Sequence, residues 1–494
     1  MIKQIYNEKN IPPETLGAPK FLILLFFVEM WERFSYYGMR ALLVLFLTTH
    51  LGFQDAKAYS IYSLFAAIAY SYPLLGGFLA DKFMGFKNMV LIGGIIMILG
   101  HTCMTLVSLN PEIIYLGLSL IAVGTGLFKG NIGSLLGSCY EDSDPSRDKG
   151  FTIFYVGINL GSFLAAISCG YVATIYGWDY GFGLAGIGMV IGLIAFIKFQ
   201  YVLGEKSRHD NDNIMHDKFF LGMSPFVFVL VMCLVSAFLV SKILSYSELF
   251  ANVLSIIGLI VFSFFGYYVI KSPKEQRESL IAISIMIFFL MCFFGIEMQL
   301  GSLISLFTER NIQNNIFGIN IPASVSQAIN PLSIILLGFF VSICQKNKKY
   351  ISFMPLFGIL GMVICFLILY VGCLNHDENA KVSYMYLVLA ISFMSLGELF
   401  IAPIVYSQTT LLAPKNARGF IMGILLLALA FSNLAGIVIS KFVSVDSVQG
   451  KVDYFQSLEV YREGFLNIAI FNFVIAILFL FFVPFLKKVL ARYN

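Results

Sequence analysis

The sequence predicts an all-α polytopic membrane protein with about fourteen transmembrane helices. Three observations carry that reading. The 494 residues are 59% hydrophobic and only 12% charged, with a mean hydropathy of +0.86. A soluble globular domain has about 25% charged residues. Apolar runs of about 20 residues recur along the whole length, each long enough to cross a bilayer. Backbone groups in hydrocarbon must pair within their own segment, so runs this long mean helices, whereas a barrel would show short alternating segments.

In order, the expected spans are 20–49, 57–80, 88–108, 112–139, 150–176 and 180–203. A polar linker follows, with Arg208, His209 and Asp210 inside it, and then two more spans at 219–244 and 249–271. A second charged linker runs from Ser272 to Ser279. The last six spans are 280–308, 323–345, 351–374, 383–412, 417–443 and 464–488. The chain therefore divides into an N-terminal six-helix bundle (1–203), a linker with two additional helices (204–279) and a C-terminal six-helix bundle (280–494). Leu74-Leu75-Gly76 and Leu336-Leu337-Gly338 hold similar places in the second span of each half, a faint trace of an internal repeat.

Charge sets the expected orientation. Loops on the N-terminal side, with both termini and the adjoining span ends, hold roughly 22 of the 32 Lys and Arg, and the other side about 7. That bias puts both termini in the cytoplasm, in agreement with an even span count. The net charge of +4 gives no reason to expect nucleic acid. The eight cysteines lie in or beside apolar segments without metal-ligand spacing and read as small buried hydrophobes. The polar N-terminus with Pro12-Pro13 lacks the pattern of a cleavable signal.

Chemistry concentrates in the first span. Glu29, Glu32 and Arg33, Tyr36 and Tyr37, and Arg40 recur at steps of three and four, which places them on one helical stripe. Each charge in hydrocarbon costs at least a few kcal/mol, so the stripe must face protein or a wet cavity. A buried ion-pair network that only joins helices is the plainer alternative. Lys129 stands among glycines in the fourth span, Asn159 in the fifth, and Glu398 shortly before Pro403 in the second half. A buried lysine needs an acidic partner, and mutual neutralisation across a cavity would supply one. His101, in the third span, is expected to be structural.

Gly76-Gly77-Phe78-Leu79-Ala80-Asp81-Lys82-Phe83-Met84-Gly85-Phe86-Lys87, between the second and third spans, resembles the loop signature of the major facilitator superfamily. Within it, the chain resembles the proton-coupled oligopeptide transporter family over nearly its whole length. The first-span pattern E-x-x-E-R-F-x-Y-Y-G (from Glu29) and the fifth-span pattern F-Y-x-x-I-N-x-G-S (from Phe154) are both complete. Ile321 to Pro331 matches the entry to the second span of the C-terminal half, and the extra helix pair is typical of bacterial members.

The resemblance implies a major facilitator fold and H⁺-coupled import of di- and tripeptides across a bacterial inner membrane. No cofactor is implied beyond the proton gradient, and a monomer in the lipid bilayer is expected. Glu29, Glu32 and Arg33 match the proton-handling set. Arg40 and Lys129 match the groups facing the substrate carboxylate, and Glu398 the one facing its ammonium group. Tyr36, Tyr37 and Tyr70 match pocket tyrosines, while Asn159 and Asn330 match donors to the peptide backbone. Arg40 with Glu297, and Lys129 with Glu398, are expected to form outer and inner gate pairs.

The chain also departs from the family pattern. Gly130 follows Lys129 where proline is common, Leu411 replaces a lysine, Leu425 replaces a pocket tryptophan, and Ser63 stands where animal members have histidine. Two other readings therefore stay open: transport of a different small solute (amino acid, modified peptide or drug), and a peptide sensor that does not translocate. An enzyme is not expected, since no nucleophile set, metal cluster or phosphate loop is legible.

Overall fold

The computed structural model describes residues 19–141, 144, 146–204, 223–316, 318–345, 348–414, 417–445 and 452–492. The first half holds α1 (Lys20–Leu45), α2 (Asp55–Ser71), α3 (Pro73–Leu79), α4 (Gly85–Met104), α5 (Ile113–Cys139), α6 (Arg147–Tyr176) and α7 (Trp178–Phe199). The additional pair is α8 (Pro225–Ser245) and α9 (Ser247–Lys271). The second half comprises α10 (Lys274–Glu297), α11 (Leu303–Asn311), α12 (Ile329–Gln345), α13 (Met354–Leu374), α14 (Tyr384–Leu412), α15 (Arg418–Ser432), α16 (Ala435–Val443) and α17 (Tyr454–Leu490). One small hairpin, β1 (Asn315–Ile316) with β2 (Ile319–Asn320), sits between α11 and α12.

Twelve segments among the described residues are long and apolar enough to cross a membrane. Two facts bring the crossings to fourteen. α1 is 26 residues long but falls outside that set because it carries Glu29, Glu32, Arg33 and Arg40. Asp55–Met104, moreover, is a single apolar stretch of 50 residues that folds back on itself. Gly76 lies against the Gly126 carbonyl of α5, and Gly93 lies within 2.7 Å (from an added Cβ) of the Gly124 carbonyl. The chain thus returns to the same level of α5 within a few turns. The reversal occurs at Gly85, whose φ of 70° is open to glycine and strained for most other residues.

The predicted spans differ from the observed helices in several places. The span expected at 57–80 divides at Tyr72, ahead of Pro73, which has no N–H to continue the helix. The one expected at 323–345 opens with a 3-10 turn over Ala323–Ala328. Three further differences each have a physical cause. The span expected at 280–308 is broken at Met298–Ser302, and the one expected at 417–443 is broken at Asn433–Leu434. Freed carbonyls in a membrane need new partners. Here Gln299 donates to the Gly295 carbonyl, Ser305 to that of Leu300, and both Ser432 and Asn433 to that of Leu429. The last span begins at Tyr454, ten residues before the expected 464, because Asp453 caps it by accepting from the Phe455 and Gln456 amides.

Most of the polar linker opening at Gly204, including Arg208, His209 and Asp210, lies outside the described residues. α8 packs on the first half through Val229, Cys233 and Ala237. α9 reaches the second half, where Phe262 meets Phe431 edge to face at 5.8 Å. The additional pair therefore lies along the seam of the two bundles.

Candidate functional site

A cavity of about 300 Å³ lies between the two halves, at the small end of the range for ligand sites. Its first-half wall contains Arg33, Tyr37 and Arg40 from α1, Tyr70 from α2, Lys129 from α5 and Asn159 from α6. Its second-half wall contains Glu297 from α10, Asn330 from α12 and Glu398 from α14. All three cations come from one half and both carboxylates from the other. α1 can present such a stripe because residues three and four apart stack along one face of an unbroken helix.

Glu29 and Glu32 stand behind this wall, 1% and 0% exposed. Arg33 grips Glu32 with two hydrogen bonds, one from Nε to Oε2 and one of 2.6 Å from Nη2 to Oε1. The same Nε lies 3.3 Å from Glu29 Oε1. Glu29 Oε2 has no partner among the described residues. Arg33 is therefore the member of the trio that reaches both the buried acids and the cavity.

Arg33 and Arg40 flank the Tyr37 ring at 6.0 Å and 5.6 Å. Lys129 lies 4.2 Å from the Tyr70 ring centroid. Asn330 donates to Glu398 at 3.2 Å and to Ser395 at 3.1 Å, which fixes the carboxylate on α14.

Tyr36 does not line the cavity, contrary to the expectation from sequence. It is 1% exposed and stacks on Phe65 at 6.0 Å. The stripe on α1 is wider than one cavity wall, so its edge packs against α2. Neither expected gate pair is joined: no ion pair links Arg40 to Glu297 or Lys129 to Glu398 among the described residues. Arg40 Nε instead donates to the Tyr62 hydroxyl at 2.5 Å, and its Nη2 lies 3.4 Å from Met298 Sδ.

The departures from the family pattern fall mostly outside the cavity. α5 runs unbroken through Gly130, Leu411 is 40% exposed away from the wall, and Leu425 is fully buried. Leu429, one turn after Leu425, is the residue that reaches the cavity. Ser63 is buried against Gly436. His101 lies in the first-half core, its Nε2 2.6 Å from Ser35 Oγ.

Sequence reading missed the seal on the face opposite the termini. Arg310 at the end of α11 makes two hydrogen bonds of 2.6 and 2.7 Å to Asp55 at the start of α2. Tyr461 and the Val445 amide complete that cluster. Gln327, in the cavity wall, donates to Ser305 Oγ at 3.1 Å and toward the Ala41 carbonyl of the first half at 3.4 Å, bridging the halves on the same side. Asp55 and Arg310 sit at span ends, where charges ordinarily face water, so nothing in the sequence marked them as partners.

The POT family profile matches residues 87–458. Dipeptide and tripeptide permease A of Salmonella typhimurium is 31% identical over 489 residues, covering 98% of this chain and 96% of the relative. Among solved structures, a peptide transporter POT in complex with sulfate is 28% identical with a TM-score of 0.82, covering 96% of each chain. The tetrameric PepTSo2 structure is 28% identical with the same TM-score, covering 95% of this chain and 98% of that one. Profile, full-length relatives and fold agree with the charged cavity between two helical halves: this chain belongs to the POT family of membrane transporters.

Proposed function

We propose that the protein is an H⁺-coupled symporter that imports di- and tripeptides by alternating access. The observation that carries this reading is the polarity of the cavity. A zwitterionic peptide needs a positive pole, a negative pole and polar groups between them. Arg33, Arg40 and Lys129 offer the first, Glu297 and Glu398 the second, and Tyr37, Tyr70, Asn159 and Asn330 the third. One chain supplies both walls, so a monomer suffices.

Coupling follows from Arg33. With Arg33 held on Glu32 and Glu29, both acids keep their counter-ion. A substrate carboxylate that draws the guanidinium toward the cavity leaves a buried carboxylate uncompensated, and that group takes up a proton. The charge bias of the loops supports termini in the cytoplasm, and the bacterial permease relatives support a bacterial cell (inner) membrane. The sealed face then points outward and the cavity belongs to an inward-facing state.

The test is uptake into proteoliposomes. Labelled dipeptide should accumulate under an inward-directed proton gradient, and the corresponding free amino acid should not. Equal uptake of the amino acid would move the substrate class. Binding without counterflow would make the protein a sensor.

A further inference from the structure

Asp55, Tyr59 and Tyr62 recur every three to four residues on α2, all at most 3% exposed, and this face meets the second half. At one end Asp55 holds Arg310, the penultimate residue of α11. At the other, the Tyr62 hydroxyl presses on Gly301, in the break that begins α11. A Cβ on Gly301 would overlap that hydroxyl and lie 2.7 Å from the ring Cζ. The short helix α11 is thus clipped to α2 at both ends. The next residue, Ser63, lies against Gly436 just beyond the second break, and a Cβ at 436 would also stand 3.1 Å from Gln299. Two consecutive residues of α2 therefore occupy the place where both broken helices of the second half bend.

Tyr62 is also the neutral hydrogen-bond acceptor for Arg40 Nε, and the Arg40 guanidinium lies 5.6 Å from its ring centroid. Arg40 faces the cavity. One side chain thus touches both a cation available to substrate and the backbone of a hinge. We propose that Tyr62 is a positioning residue that transmits engagement of Arg40 to the break at Met298–Ser302, and so ties substrate binding to release of α11 from α2. When a substrate carboxylate pulls the Arg40 guanidinium, the Tyr62 hydroxyl loses its donor and its ring shifts. Gly301 lies beside that hydroxyl, so a shift of the ring frees the chain there to move. A side chain at 301 would have to displace the Tyr62 hydroxyl.

This inference rests on the peptide-symport reading, and the experiment separates the two. Wild-type protein is first assayed for dipeptide counterflow, whose absence would remove the transport reading itself. Tyr62→Phe keeps the ring and deletes the acceptor. Its equilibrium dipeptide binding should stay within about threefold of wild type, while its maximal counterflow rate should fall about tenfold or more. Gly301→Ala should impair counterflow, and combining it with Tyr62→Phe should cost less than the sum of the two, because the overlapping oxygen is gone. Spin labels on the α1–α2 loop and near Arg310 should report a dipeptide-induced distance change in wild type that is absent in Tyr62→Phe. Wild-type counterflow in Tyr62→Phe, loss of binding in parallel with rate, or strict additivity in the double variant would each overturn the proposal.

Discussion

The first and fifth spans of the two halves are built differently. In the first half, α1 and α6 are continuous over 26 and 30 residues and carry Arg33, Arg40 and Asn159 on regular helical faces. In the second half, the equivalent spans are α10 with α11 and α15 with α16, each interrupted near its middle. The continuous helices α1 and α5 present the cavity cations. The interrupted half presents Glu297 immediately before one break and Leu429 shortly before the other. The contrast separates two properties: the cavity cations sit on continuous helices, whereas the carboxylate of Glu297 sits at the edge of a break that leaves the backbone free to bend. Hydrogen bonds from Gln299, Ser305, Ser432 and Asn433 let a membrane segment break without orphaned carbonyls.

The largest test of this division lies in the continuous half. Glu32→Gln should abolish accumulation above equilibrium under a proton gradient while counterflow persists, because the titratable acid is removed while the amide oxygen can still accept from Arg33. Uptake with and without the gradient checks this, and gradient-driven accumulation by the variant would show that the proton site is elsewhere.

Next comes the seal between halves. Removing one member of a buried ion pair costs about 3–5 kcal/mol. Asp55→Asn should therefore shift the protein toward states open on the Arg310 side, raising the reactivity of a cysteine placed at Ser324. The exchanged pair, Asp55→Arg with Arg310→Asp, should restore part of the protection. Unchanged reactivity in Asp55→Asn would mean the cluster does not hold the halves together.

A third comparison sets the breaks against a continuous helix. Ser305→Ala leaves the Leu300 carbonyl without its side-chain donor and Gln327 without its acceptor, and should destabilise the protein by about 1–3 kcal/mol. Ser168→Ala, on an exposed face of α6, should fall within about 0.5 kcal/mol of wild type. Thermal unfolding of the two variants decides it, and equal shifts would remove the argument that side chains support the break.

The smallest effect concerns selectivity. Leu429→Ala should change the preference between bulky and small peptide side chains by up to about tenfold, the worth of a few methylenes in an apolar wall. Leu425→Trp should leave that preference intact and lower stability instead, since Leu425 is fully buried and off the cavity. Competition assays with a peptide series, alongside unfolding temperatures, separate the two.

Sequence alone determined the fold class, the fourteen crossings, the additional helix pair and nearly all the cavity charges. Those features are local: hydropathy is read within one segment, and a helical stripe is set by spacing along one chain. It also marked Glu29, Glu32 and Arg33, since charges in hydrocarbon must face protein or water rather than lipid. Only the tertiary structure decided that Tyr36 faces α2 and that Leu429, one turn beyond Leu425, reaches the cavity. It alone joined Asp55 to Arg310 across 255 residues and set Tyr62 on Gly301. Those outcomes depend on how two bundles are docked. A helix's own period fixes which residues share a face, but the neighbour against which that face is buried is chosen by packing between distant segments, and no spacing within either one records it.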